Sequence, residues 1–123
     1  MSTSKKLIDL SYLEGIAGDN ESILDELINI FLDQIDEFNT GFKNYFSKKD
    51  WKKLAALAHK AKSSVLSMGL EELGNDLKEL ELLSLGLIDK EPSTENIKIE
   101  EQIFSKIENF KQVCEEAKKE LNI

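Results

Sequence analysis

A chain of 123 residues is the length of one domain, long enough to bury an apolar core and too short for two. With 41% hydrophobic and 33% charged residues, one Pro and six Gly, the composition is globular and helix-favouring; it excludes disordered and collagen-like chains, and a single cysteine, Cys114, excludes an internal disulfide. Sixteen lysines, no arginine and 24 acidic residues leave a net charge of −8, which argues against nucleic acid, whose phosphates need a basic footprint and whose base edges are mostly read by Arg.

No apolar run approaches the roughly 18 residues that span a bilayer, and the stretch from Met1 to Leu10 lacks the apolar segment of a signal peptide. The expectation is a cytoplasmic, free-standing protein with no membrane contact. In chain order, Leu10, Leu13, Ile16 and Ala17 keep helical spacing up to Gly18, which predicts a short first helix from Asp9 to Ala17. Leu24, Leu27, Ile28, Phe31, Ile35, Phe38, Phe42, Tyr45 and Phe46 then recur in steps of three and four, the apolar face of a long helix over roughly residues 20–47. Asp50 is placed to cap the next helix, where Trp51, Leu54, Leu57, Ala58, Ala61, Val65 and Met68 form one stripe that stops at Gly69.

Gly69 suits the left-handed residue that ends a helix, and Glu71 and Glu72 suit the positive end of the following one, so a tight helical hairpin is expected there. Leu70, Leu73, Leu77, Leu80 and Leu83 face the core until Gly86. The segment from Asp89 to Thr94, with Pro92, reads as a loop whose Ser93 or Thr94 caps a last helix carrying Ile99, Ile103, Ile107, Phe110, Cys114, Ala117 and Leu121. Strand-like alternation and internal repeats are absent from the sequence. The fold expected is all-α, an antiparallel up-down four-helix bundle with a short additional N-terminal helix, one domain over residues 1–123. Phe31, Phe38, Trp51, Leu54, Val65, Leu77, Ile103 and Phe110 should be buried. Gly41 and Gly74 fall inside helices, where each costs about 1 kcal/mol relative to Ala, which predicts close packing or a kink.

The one histidine, His59, lies about 140° around its helix from Leu54 at 100° per residue, and so points to solvent. Its neighbours on that surface are Lys52, Ala55, Ala56, Lys62, Ser63 and, two turns on, Leu66, a leucine outside the core stripe. Between Lys43 and Lys62 seven lysines stand against one acid, Asp50, a local +6 that leaves −14 for the rest of the chain. A basic island around an exposed imidazole suits an acidic partner or a phosphoryl group. Metal binding is unsupported, since a di-metal bundle needs Glu-x-x-His pairs on two helices and one His exists. Cys114 sits on an apolar stripe, and the sequence carries neither a nucleophile elbow nor a Gly-rich phosphate loop.

The segment from Leu57 to Glu81, LAHKAKSSVLSMGLEELGNDLKELE, resembles the active-site segment of histidine-containing phosphotransfer (HPt) domains, of the form A-H-x-L-K-G-[SA]-[SA], a Gly some ten residues after the His, and a Leu-rich helix ending in Leu-Glu. Ala58, His59, Lys62, Ser64, Gly69, Leu77, Leu80 and Glu81 match; Ala61 replaces the usual Leu and Ser63 the usual Gly. The stretch DLSYLEGIAGDNESILDELINIFLDQ, from Asp9, is more loosely similar to the family's opening helices. The resemblance implies a phosphohistidine carrier, not a self-contained enzyme: His59 accepts a phosphoryl group from a receiver-domain aspartyl phosphate and passes it to another receiver aspartate. It also implies Lys62 as the neutralising cation; Ser63, a departure from the family's Gly, offers its hydroxyl as a phosphate contact, and the apolar and charged patch around His59 marks Lys52, Ala55, Ala56 and Leu66 as partner-binding residues. Under this reading the chain needs no cofactor of its own, Mg²⁺ belongs to the partner receiver, which includes that of a hybrid sensor histidine kinase, and the protein is a monomer. The alternative keeps the bundle without the chemistry, as a degenerate module that docks a receiver and carries no phosphate.

Overall fold

The computed structural model describes residues 7–121. Five helices follow one another: α1 (Ser11–Ala17), α2 (Glu21–Ser47), α3 (Trp51–Ser67), α4 (Glu71–Gly86) and α5 (Thr94–Leu121). Local chemistry sets their starts. The side chains of Asn20 and Asp50 accept the backbone N–H groups of Ile23 and Lys53, each at 3.2 Å, and Ser93 Oγ accepts that of Asn96 at 3.1 Å. Asp9 Oδ1 accepts the hydroxyl and the backbone N–H of Ser11 at the entrance to α1, which holds the Asp9 carboxyl below the usual carboxylate range.

The helices α2 to α5 pack in a ring, each on its neighbours in the chain with α5 closing on α2, and α1 rests on α2. Adjacent members run antiparallel: across α2 and α3, Gln34 meets Ser64 and Gly41 meets Leu57, and across α4 and α5, Asp76 meets Asn109 and Glu79 meets Lys106. The bundle interior is filled by Phe31, Ile35, Phe38, Phe42, Leu54, Val65, Met68, Leu77, Leu80, Ile103 and Phe110, with Phe110 edge-on to both Phe38 and Phe42. Two expectations from the periodicity need correction. Trp51 is half-buried, because the first residue of α3 lies at the rim, where its ring stands edge-on to Phe46 at 5.9 Å. Ile16 is 56% exposed, since a helix as short as α1 turns only Leu13 and Ala17 fully inward.

Of the helical glycines, Gly41 and Gly74 mark close approaches. A Cβ on Gly41 would lie 2.5 Å from Leu57 Cδ2, and one on Gly74 would lie 2.6 Å from Leu66 Cδ2. The most constrained glycine is Gly69, with φ of 78° at the end of α3. A Cβ there would meet Asp9, including its backbone N and O at 2.8 Å, because Asp9 N donates to Met68 O at 2.9 Å and ties the N-terminal segment across the hairpin. That segment is held a second time by Glu120, whose carboxylate accepts the backbone N–H groups of Leu7 and Ile8.

Replacing Gly69 by Ala combines a left-handed backbone with a clash against main chain and should cost about 2 kcal/mol or more in urea unfolding. In Gly86→Ala, where nothing lies within 4 Å of the added carbon, stability should hold or rise slightly. Cys114 is fully buried, and burial pushes its thiol up from an ordinary value of 9.0 to about 12. The folded chain therefore keeps this proton after the unfolded chain has lost its own, so the stabilisation is complete below about pH 9 and declines as pH rises toward 12. Thiol reagents at pH 8 should label Cys114 only in denaturant, and Cys114→Ala should weaken the alkaline fall in stability.

Candidate functional site

Helix α3 is amphipathic in an asymmetric way. Leu54, Ala58, Ala61 and Val65 face the core, and the small side chains among them let α4 lie close. Two contacts fix the antiparallel register of this pair: Leu66 lies over Gly74, and His59 Nδ1 lies 3.2 Å from Glu81 Oε1. The His59 side chain is 64% exposed and that of Glu81 22%, so the carboxylate anchors one edge of a ring whose other edge is open to solvent.

This arrangement has a chemical consequence. In neutral imidazole one nitrogen carries a proton and the other a lone pair, and the partner of one decides the role of the other. A carboxylate at Nδ1 accepts a hydrogen bond from the Nδ1–H, so the ring keeps its proton there and Nε2 holds the free lone pair on the exposed edge. An accessible nitrogen nucleophile is the result.

The residues singled out from the sequence fall into different environments. Lys62, one turn after His59, is half-buried and pairs with no carboxylate among the described residues. Ser63, Lys52 and Ala56 are exposed on the same side of α3, and Leu66 is 43% exposed. Ala55 corrects the sequence reading: it is 2% exposed, because the register that brings Glu81 to His59 carries the next turn of α4 over it. The seven-lysine island also divides. Lys49 pairs with Glu100 at 3.7 Å and Lys53 with its own cap Asp50 at 3.9 Å, both at the α2–α3 turn, while Lys43 lines a groove between α2 and α5. Lys52 and Lys62 remain on the face of His59.

Glu81 is the site residue whose contact the sequence reading did not identify. A signal for it existed in the hairpin itself: Gly69 stands ten residues after His59 and Glu81 twelve after Gly69, and antiparallel helices pair positions nearly equidistant from their turn. On the other flank, Ser64 Oγ donates to Gln34 Oε1 at 2.9 Å and joins α3 to α2. One turn before Gln34, Ile30 is 54% exposed, and Ile23 is 40% exposed two turns further toward the start of α2. No group of three or more His, Cys, Asp or Glu side chains among the described residues could hold a metal ion, and no described helix is long and apolar enough to cross a membrane.

Comparison with known proteins returned no matching curated protein and no matching solved structure. A family model described as Hpt domain does match, over residues 26–120, from early in α2 to the last turn of α5, and its span contains His59, Lys62, Gly69 and Glu81. With the match covering most of the sequence, on a helical bundle that presents an exposed histidine, the chain belongs to the Hpt domain family, whose members are phosphocarrier modules.

Proposed function

We propose that this protein is a phosphorelay intermediate, in which His59 takes a phosphoryl group from the aspartyl phosphate of one receiver domain and delivers it to the aspartate of another. The observation that carries this reading is the exposed ring of His59 with Nδ1 against Glu81. In the forward step the lone pair of Nε2 attacks phosphorus, the N–P bond forms, the P–O bond to the donor aspartate breaks, and the carboxylate leaves. The ring keeps its Nδ1 proton and becomes positively charged, and Glu81 is placed to stabilise that charge. Reversal toward a second aspartate regenerates neutral imidazole without a proton being moved.

A loose phosphoryl transition state asks for positioning and charge neutralisation more than for acid–base work. Lys62 supplies a cation one turn from the nucleophile, and Ser63 supplies a hydroxyl on the same side of the helix where the family pattern has Gly. Mg²⁺ and the reacting aspartate come from the receiver. Lys52, Ala56 and Leu66 form the α3 part of the contact, whereas buried Ala55 supports the face from beneath. The proposed setting is a cytoplasmic monomer with the receiver of a hybrid sensor histidine kinase among its partners.

Incubation with an aspartyl-phosphorylated receiver should place acid-labile, base-stable label on the wild-type chain and none on His59→Gln, with the melting temperature of that variant unchanged because the side chain lies outside the core. Binding of a receiver without any transfer would favour the degenerate docking module instead. Glu81→Gln keeps an acceptor and loses the charge; since hydrogen bonds to charged groups contribute about 1.5–3 kcal/mol, transfer should slow by roughly tenfold or more. Lys62→Ala should slow transfer and shorten phosphohistidine lifetime while stability stays within about 0.5 kcal/mol. For docking, Leu66→Asp should weaken receiver affinity in calorimetry by about tenfold or more, as burial of one leucine contributes about 1.5–3 kcal/mol.

A further inference from the structure

The contacts that join α3 to α4 make one continuous surface from two rows of side chains. On α3 the row is Lys52, Ala56, His59, Lys62 or Ser63, and Leu66; on α4 it is Gly74, Lys78, Glu81 and Leu85, spaced by three and four residues and hence on one helix face. Since His59 meets Glu81 and Leu66 meets Gly74, Lys78 falls at the level of Lys62 between these contacts, and Leu85 falls one turn beyond Glu81 on the far side of His59. Leu85 is 46% exposed and Leu66 43%, so two leucines bracket the imidazole, separated by about 16 Å along the helix axes at 1.5 Å per residue.

The charge on this surface is opposite to that of the chain. Lys52, Lys62 and Lys78 form no ion pair among the described residues, and the one carboxylate in the two rows, Glu81, is engaged by His59. On the far side of α4, Glu79 pairs with Lys106 of α5 at 2.6 Å. A chain of net charge −8 thus presents a cationic, leucine-flanked strip around its nucleophile.

We propose that α4 is part of the receiver-docking surface, with Leu85 as an apolar contact and Lys78 as a steering and discriminating charge. The inference rests on the reading of His59 as a carrier that exchanges phosphate with a receiver aspartate. A receiver must hold a divalent cation beside that aspartate, so the mouth of its pocket is lined by carboxylates, the complement of a strip that carries Lys52, Lys62 and Lys78. The leucines on either side of His59 rest on the rim of that pocket and exclude water while the nitrogen reaches the phosphorus. Rim charge acts chiefly on encounter, and buried apolar contact chiefly on residence.

The test uses two phosphodonors on the full chain: phosphoramidate, which needs no docking surface, and a panel of receiver domains loaded with acetyl phosphate. Leu85→Asp should take label from phosphoramidate at a rate within about twofold of wild type and lose about tenfold or more in transfer from receivers. Lys78→Glu should slow association with receivers and flatten its dependence on salt. Wild-type transfer rates from every receiver in both variants would overturn the inference, and so would an equal loss with phosphoramidate, which would put these residues in support of the imidazole or the fold. Absence of label on the wild-type chain from both donors would overturn the carrier reading itself.

Discussion

The architecture of the site depends on the closeness of α3 to α4. Alanines at 55, 58 and 61 and a glycine at 74 leave no bulk between the helix axes, and Leu66 fills the space that a side chain at 74 would take. A helical glycine costs about 1 kcal/mol relative to Ala, a cost offset here by packing and, more importantly for function, by register. With Leu66 seated on Gly74, rotation and slide of α4 are fixed, and Glu81 arrives two turns away beside His59. The same register covers Ala55 and leaves Leu85 at the surface.

Within that frame the pair formed by His59 and Glu81 orients far more than it stabilises. With a ring 64% exposed, the contact sits in screened surroundings where such pairs contribute little to folding. Its value lies in choosing which nitrogen faces outward. A buried histidine would have a fixed ring and no access to a partner, and a free surface histidine would have access and no fixed tautomer. The exposed ring tethered at one edge has both properties, and it asks nothing of the core, which lies on the opposite side of α3.

Much of this was legible in the sequence because helical periodicity is a local property. The four long apolar stripes, the caps at Asp50 and Ser93, the turn at Gly69 and the outward direction of His59 all follow from spacing and residue type within one helix. What periodicity on a single helix does not carry is the position of its neighbours. Ala55 lies well off the stripe centred on Leu54 and is nevertheless covered, because α4 crosses on that side. Glu81 lies 22 residues from His59, and its role emerges only when the hairpin is closed. The lysine island was a one-dimensional count, and in three dimensions Lys49 and Lys53 turn to acids near the α2–α3 turn, while Lys52, Lys62 and, across the seam, Lys78 lie on the face of His59. Trp51 and Ile16 show the same limit at helix ends, where the number of covering neighbours falls.

The carrier chemistry proposed for His59 requires that Glu81 hold its Nδ1 edge and leave Nε2 to react. Nitrogen-15 and phosphorus-31 NMR of the chain before and after phosphorylation tests it most directly. The expected result is a proton on Nδ1 in the neutral resting form and a phosphoryl group bonded to Nε2 after transfer, with the Nδ1 proton retained. Phosphate bonded to Nδ1, or a resting tautomer protonated at Nε2 with the ring turned away from Glu81, would contradict it.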